Sequence, residues 1–115
     1  KFFKNIAGLT INDSKLKEIH QNDLQEFPKL REIFIASNEI EVLEANLFKF
    51  NENLELLWLD GNKIHSIDSR IFDNLSKLRY LNIRERKSCT GAMKKIQYDH
   101  YAVEQFIRFI LKRKC

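Results

Sequence analysis

A chain of 115 residues is normally one domain, long enough to bury a real core. With 43% hydrophobic and 31% charged residues it reads as an ordinary soluble globular protein, and with three glycines and one proline no disordered internal linker is expected. The net charge of +4 divides unevenly: residues 84–115 hold nine Lys or Arg and three Asp or Glu, residues 1–83 eleven and thirteen, or about +6 and about −2. The excess cations are not interleaved with aromatics, so a solvated basic end is expected rather than nucleic-acid binding.

At the start of the chain, KFFKNIAGL lacks the long apolar centre of a signal peptide, so any such signal would already have been removed. The chain then repeats itself. A first unit places apolar residues at Ile6, Leu9, Ile11, Leu16, Ile19 and Leu24, with Ser14 between. A second, 24 residues on, has Leu30, Ile33, Ile35, Asn38, Ile40, Leu43 and Phe48. A third has Leu54, Leu57, Leu59, Asn62, Ile64, Ile67 and Phe72, and a fourth begins with Leu78, Leu81 and Ile83. The unit reads L-x-x-L-x-L-x-x-N-x-L-x-x-L-x-x-x-x-F, with aliphatic substitutions. Arg86 stands where the asparagine would recur, and there the repeats stop.

Such a pattern has a physical meaning. One coil cannot bury its own apolar side, so coils stack and share a core. The alternating L-x-L segment has strand period, and strands near 6–11, 30–35, 54–59 and 78–83 would lie side by side as a parallel sheet. Asn38 and Asn62 fall where the chain turns off the strand, and an amide there can bond backbone groups of the neighbouring coil. Residues 6–83 resemble the leucine-rich repeat family, of the 24-residue extracellular type. The resemblance implies an α/β repeat solenoid with its parallel sheet on the concave face. Phe3 occupies the slot of Phe27 and Leu75, so the chain is expected to begin inside a repeat. Either residues upstream are absent, or another subunit covers Ile6, Leu9 and Ile11.

If the leucine-type slots point inward, the residues between them point out. Three outward columns follow: Gly8, Glu32, Leu56 and Tyr80; Thr10, Phe34, Trp58 and Asn82; Asn12, Ala36, Asp60 and Arg84. Phe34, Leu56, Trp58 and Tyr80 would form an apolar patch on the concave face, rimmed by Glu32, Asp60, Arg31, Arg79 and Arg84. One reading is cross-strand packing, worth up to about 1 kcal/mol per pair. A second is that a missing part of the chain, or the C-terminal tail, covers these residues; the third is a contact surface, with aromatic anchors inside a charged rim. A protein partner or self-association would use it.

After Ile83 the sequence RERKSCTGAMKKIQYDHYAVEQFIRFILKRKC carries no repeat. From Asp99, an N-cap residue type, the broad apolar stripe Ala102, Val103, Phe106, Ile107, Phe109, Ile110 and Leu111 predicts a helix near 99–112. Lys112, Arg113 and Lys114 suit its C-terminus. The run FIRFIL within it is broken by Arg108 and is too short to cross a bilayer, so no transmembrane segment is expected. Residues 84–115 are thus expected to cap the array, with the helix over its open end. This segment is similar to the single-disulfide C-terminal caps of secreted insect leucine-rich repeat proteins. That likeness implies a Cys89–Cys115 bond and an oxidising compartment. The residues themselves leave free thiols in a cytosolic protein as the competing reading. The triplets Asn12-Asp13-Ser14 and Asn74-Leu75-Ser76 are candidate glycosylation sequons, compatible with secretion.

Catalytic motifs are missing: there is no G-x-S-x-G, P-loop or H-E-x-x-H. Two columns hold metal-ligating residue types, His20, Glu44 and Asp68 in one and Lys17, Glu41 and His65 in the other. Mixed charges suit a solvated flank better than a metal site, and no metal or cofactor is expected. The expected function is therefore an extracellular, non-enzymatic protein-binding module. The resemblance implies a place in innate immunity or cell adhesion; an intracellular adaptor or effector with reduced cysteines is the alternative.

Overall fold

The computed structural model describes residues 5–82 together with Lys94 and Lys95. In chain order the elements are β1 (Gly8–Thr10), the single helical turn α1 (Gln21–Leu24), β2 (Glu32–Phe34), β3 (Val42–Leu43), β4 (Leu56–Trp58), β5 (Ser66–Ile67), a 3-10 turn (Ser69–Phe72), β6 (Tyr80–Asn82) and β7 (Lys94–Lys95). Strands β1, β2, β4 and β6 are parallel neighbours, and each pairing advances by one 24-residue unit. Leu9 lies opposite Ile33, Ile33 opposite Leu57, and Leu57 opposite Leu81. The strands are shorter than the apolar pattern predicts, but backbone bonding runs past their ends. Arg31 N donates to Ala7 O at 2.8 Å, and Ile35 N to Trp58 O at 2.8 Å.

Inward residues form one continuous core of stacked columns. Leu30, Leu54 and Leu78 are buried, as are Ile33, Leu57 and Leu81, Ile35 and Leu59, and Leu24, Phe48 and Phe72. In the first coil Ile6, Leu9, Ile11 and Leu16 pack against this core and are only partly buried.

The turns off the strands repeat as faithfully as the core. Asp13, Ser37 and Gly61, in the same slot of successive coils, all have positive φ, at 54°, 56° and 78°, and the first coil adds Lys15 at 56°. Packing between coils is tight at that corner: a Cβ on Gly61 would lie 3.2 Å from Ser37 Oγ and 3.3 Å from its backbone. The asparagines that follow do what their slot predicts. Asn38 donates from Nδ2 to Ile11 O and Ala36 O, while its Oδ1 accepts from Ser14 N and Leu16 N. Asn62 donates to Ile35 O and Leu59 O and accepts from Ile40 N.

Two features go beyond the repeat pattern. Val42 and Leu43 pair in parallel with Ser66 and Ile67, so β3 and β5 form a second, two-stranded sheet. Past β6 the main sheet gains β7, which runs antiparallel, with Tyr80 opposite Lys95 and Leu81 opposite Lys94. The free edge of β6 is thereby paired. The capping helix expected near 99–112 lies outside the described residues, as does Ile83 at the end of the fourth predicted strand.

Candidate functional site

Strand alternation divides the middle of the sheet sharply. Ile33 and Leu57 are essentially inaccessible, at 0% and 1%, whereas Phe34 and Trp58 beside them are only half-buried. The last two stand opposite each other in the β2–β4 register, with ring centroids 6.3 Å apart and planes tilted by 34°. That is ordinary aromatic pair geometry, with one face of the pair left open. Leu56 is also half-buried, flanked in register by Glu32 on β2 and Tyr80 on β6. Phe34, Leu56, Trp58 and Tyr80 thus share the open face over three adjacent strands. Glu32 is exposed and Asp60 half-buried at its margins; Arg84 lies outside the described residues.

One member of the aromatic column departs from expectation. Asn82, in the outward slot after Trp58, is buried at 3%. There the main sheet continues past β6 into β7, so Asn82 is not at a sheet edge. The open stretch of this column is Thr10, Phe34 and Trp58.

The rim is organised by a residue the sequence reading overlooked. Glu55 sits 24 residues from both Arg31 and Arg79; its Oε2 is 2.5 Å from Arg31 Nε, and its Oε1 is 4.0 Å from Arg79 Nη1. Hydrogen bonding from Arg31, against some desolvation, holds the Glu55 carboxyl below its ordinary range. The signal was available, as opposite charges one repeat apart. A polar ladder runs alongside, where Lys29 Nζ donates to Asn5 Oδ1 and Lys77 Nζ to Asn53 Oδ1, at 2.9 and 2.8 Å.

Asn51 is the other residue overlooked. It occupies the column of Phe27 and Leu75, where apolar residues are the rule, yet it is fully buried. Its Nδ2 donates to Leu24 O and Phe27 O, both at 3.0 Å, while its Oδ1 has no hydrogen-bond partner.

The titratable columns do not converge. His20 Nε2 lies 3.2 Å from Glu18 and Nδ1 3.6 Å from Glu44, and the Glu18 hydrogen bond chiefly raises the imidazole pKa. Asp68 turns away to Arg70, and His65 lies 3.5 Å from Glu41. Among the described residues no group of three or more His, Cys, Asp or Glu is placed to hold a metal ion. No helix among them is long and apolar enough to cross a membrane. Both candidate sequon asparagines, Asn12 and Asn74, are exposed residues. Cys89 and Cys115 lie outside the described residues.

Comparison with known proteins agrees with the stacked geometry. The sequence profile of the leucine rich repeat family matches residues 28–85, half of the chain. Human Toll-like receptor 1 is 36% identical over 70 residues, which cover 61% of this chain but only 9% of the receptor. No solved structure matches. With its 24-residue register, asparagine turns and continuous core, the chain belongs to the leucine-rich repeat family.

Proposed function

We propose that the chain is an extracellular, non-enzymatic protein-binding module that uses the concave face of its sheet. The observation that carries this reading is the half-open Phe34–Trp58 pair, set among Leu56 and Tyr80 at the centre of the sheet. A contiguous aromatic patch left open to solvent is uncommon without a use. Its setting, apolar in the middle with Glu32, Asp60, Arg31 and Arg79 around it, matches the composition of protein contact surfaces. Similarity to part of a receptor supports an extracellular setting. A role in innate-immune recognition or cell adhesion fits that similarity, and self-association is a second use for the same face.

The same reading makes residues 84–115 a cap, closed by a Cys89–Cys115 disulfide. Mass measurement of the natively produced protein, alkylated without reductant, tests it. An unchanged mass is expected. Two alkylated thiols would favour an intracellular adaptor or effector with reduced cysteines. For the surface, Trp58→Ala should weaken partner capture by about 2 kcal/mol or more while leaving the fold intact. Unchanged capture would remove the concave face from the interaction.

A further inference from the structure

The chain carries two sequons, and the structure treats their asparagines differently. Both hydrogens of the Asn74 side-chain amide are committed: Nδ2 donates to Phe48 O at 3.0 Å and to Lys49 O at 2.9 Å. A sugar takes the place of one of them. A carbon at the single-bond C–N distance of about 1.45 Å along either direction would lie at bonding distance from a carbonyl oxygen. Asn74 could carry a glycan only by releasing the preceding coil.

Asn12 is arranged the other way. Its Oδ1 accepts from Ala36 N at 2.8 Å, which fixes the amide on the neighbouring coil, and its Nδ2 has no partner among the described residues. Ser14, the third sequon residue, is exposed, with its hydroxyl donating to Asn12 O at 2.9 Å. Asp13 between them adopts positive φ, at 54°, and donates from its backbone N to Ala36 O at 3.1 Å, while all three sequon residues stay exposed. Glycosylation leaves the oxygen and one N–H on such an amide, so the bond to Ala36 survives.

We propose that Asn12, and not Asn74, is an N-linked glycan attachment site, and that the glycan borders the Phe34–Trp58 pair on its β1 side. In the transfer, Asn12 Nδ2 forms a bond to the anomeric carbon of a lipid-pyrophosphate-linked oligosaccharide. The bond from that carbon to the pyrophosphate oxygen breaks with its electron pair, and the lipid pyrophosphate leaves. The amide loses one proton to the catalysing enzyme, and nothing is oxidised or reduced. Asn12 follows β1, and Phe34 stands on β2 opposite Thr10. A glycan there occupies the β1 margin, so a partner would approach the patch from β4 and β6.

This inference rests on the secreted reading for its natural relevance, and its test separates the two. The full chain is directed by a signal sequence into the secretory route of glycosylating cells, and the protease-resistant product is treated with an N-glycosidase in heavy-oxygen water. The label is expected on the Asn12 peptide, with Asn74 bare. Ser14→Ala, which leaves the Asn12 amide in place, should remove one glycan mass. Label on Asn74 in folded protein, or none on Asn12, overturns the proposal. Protein from its natural source that lacks the glycan, when the directed chain carries it on Asn12, would instead count against secretion.

Discussion

Asn62 reaches back 27 residues to bond the Ile35 carbonyl, at 2.7 Å, from a side chain only 1% exposed. The same amide donates to Leu59 O and accepts from Ile40 N, so one side chain satisfies three backbone groups over two coils. Asn62→Ala orphans buried groups at about 1–3 kcal/mol each, and the loss of stability should reach about 3 kcal/mol. Asn62→Asp should not rescue it, since a carboxylate would face two carbonyl oxygens. Urea unfolding measures both. A loss under about 1 kcal/mol would mean that this amide does not join the coils.

Asn51 tests the opposite case, a buried amide that is incompletely satisfied. The carbonyls it caps already have backbone donors, Phe27 N for Leu24 O and Leu30 N for Phe27 O. Leucine would restore the apolar column of Phe27 and Leu75 and remove an unpartnered oxygen. Asn51→Leu should therefore leave stability within about 1 kcal/mol or raise it, whereas Asn51→Ala should cost about 1–3 kcal/mol. Equal, large losses from both would show that the two amide bonds outweigh the orphaned acceptor.

These two asparagines show where the sequence was legible. Asn38 and Asn62 recur at the repeat spacing, so their position alone predicted their bonds. Asn51 does not recur, and a polar residue in an apolar slot has no single structural meaning until its partners are seen. The open face of Phe34 and Trp58 followed from strand alternation, because a period of two fixes direction once the inward set is known. Asn82 did not follow, because alternation gives direction but not what lies above. Strand β7 was illegible for a related reason: Lys94 and Lys95 carry no apolar pattern, and their pairing with β6 is made by backbone groups.

Acid should reveal the Asp68–Arg70 pair. Arg70 donates from Nε and Nη2 to the two carboxylate oxygens, at 3.0 and 2.7 Å, and its backbone N caps Oδ1 at 3.0 Å. The side-chain bonds first, then the backbone bond, bring the Asp68 pKa from 3.8 down to about 2. A depressed acid contributes stability in full above its unfolded pKa, and loses it as pH falls through the folded value. The contribution is thus whole above about 4 and fades between 3.8 and about 2. Carboxyl carbon shifts at pH 3 should show Asp68 still ionised, and Arg70→Ala should raise its midpoint only part of the way to the ordinary value, because the backbone N of residue 70 still donates to Oδ1. An ordinary midpoint in the unaltered protein would contradict the geometry.

Removing residues 87–115 should expose the β6 edge. That truncation deletes β7, whose Lys94 and Lys95 pair with Leu81 and Tyr80. Unpaired edges template association, so the shortened protein should melt lower and form oligomers. Loss of a flank pair such as Lys63–Glu39, 3.8 Å apart with an exposed lysine and a half-buried glutamate, should change little by comparison. A truncated monomer with an unchanged melting temperature would show that the segment does not close the array.

Trp58 is the only tryptophan, so its fluorescence reports on the open face alone. Half-buried against Phe34, it should emit between a core indole and a free one, and iodide should quench it in part. Phe34→Ala removes the ring 6.3 Å away and should shift the emission to the red and increase quenching. Since the lost ring is half-exposed, stability should fall by only about 1 kcal/mol. Leu57→Ala, one residue from Trp58 but 1% exposed, should cost about 2–5 kcal/mol instead. The contrast between these neighbours separates the face from the core. Blue-shifted, unquenchable emission in a demonstrated monomer would refute the open face, because nothing but the chain itself could then cover the indole. The same emission in a dimer, lost on dilution, would identify the Phe34–Trp58 surface as the place where two copies meet.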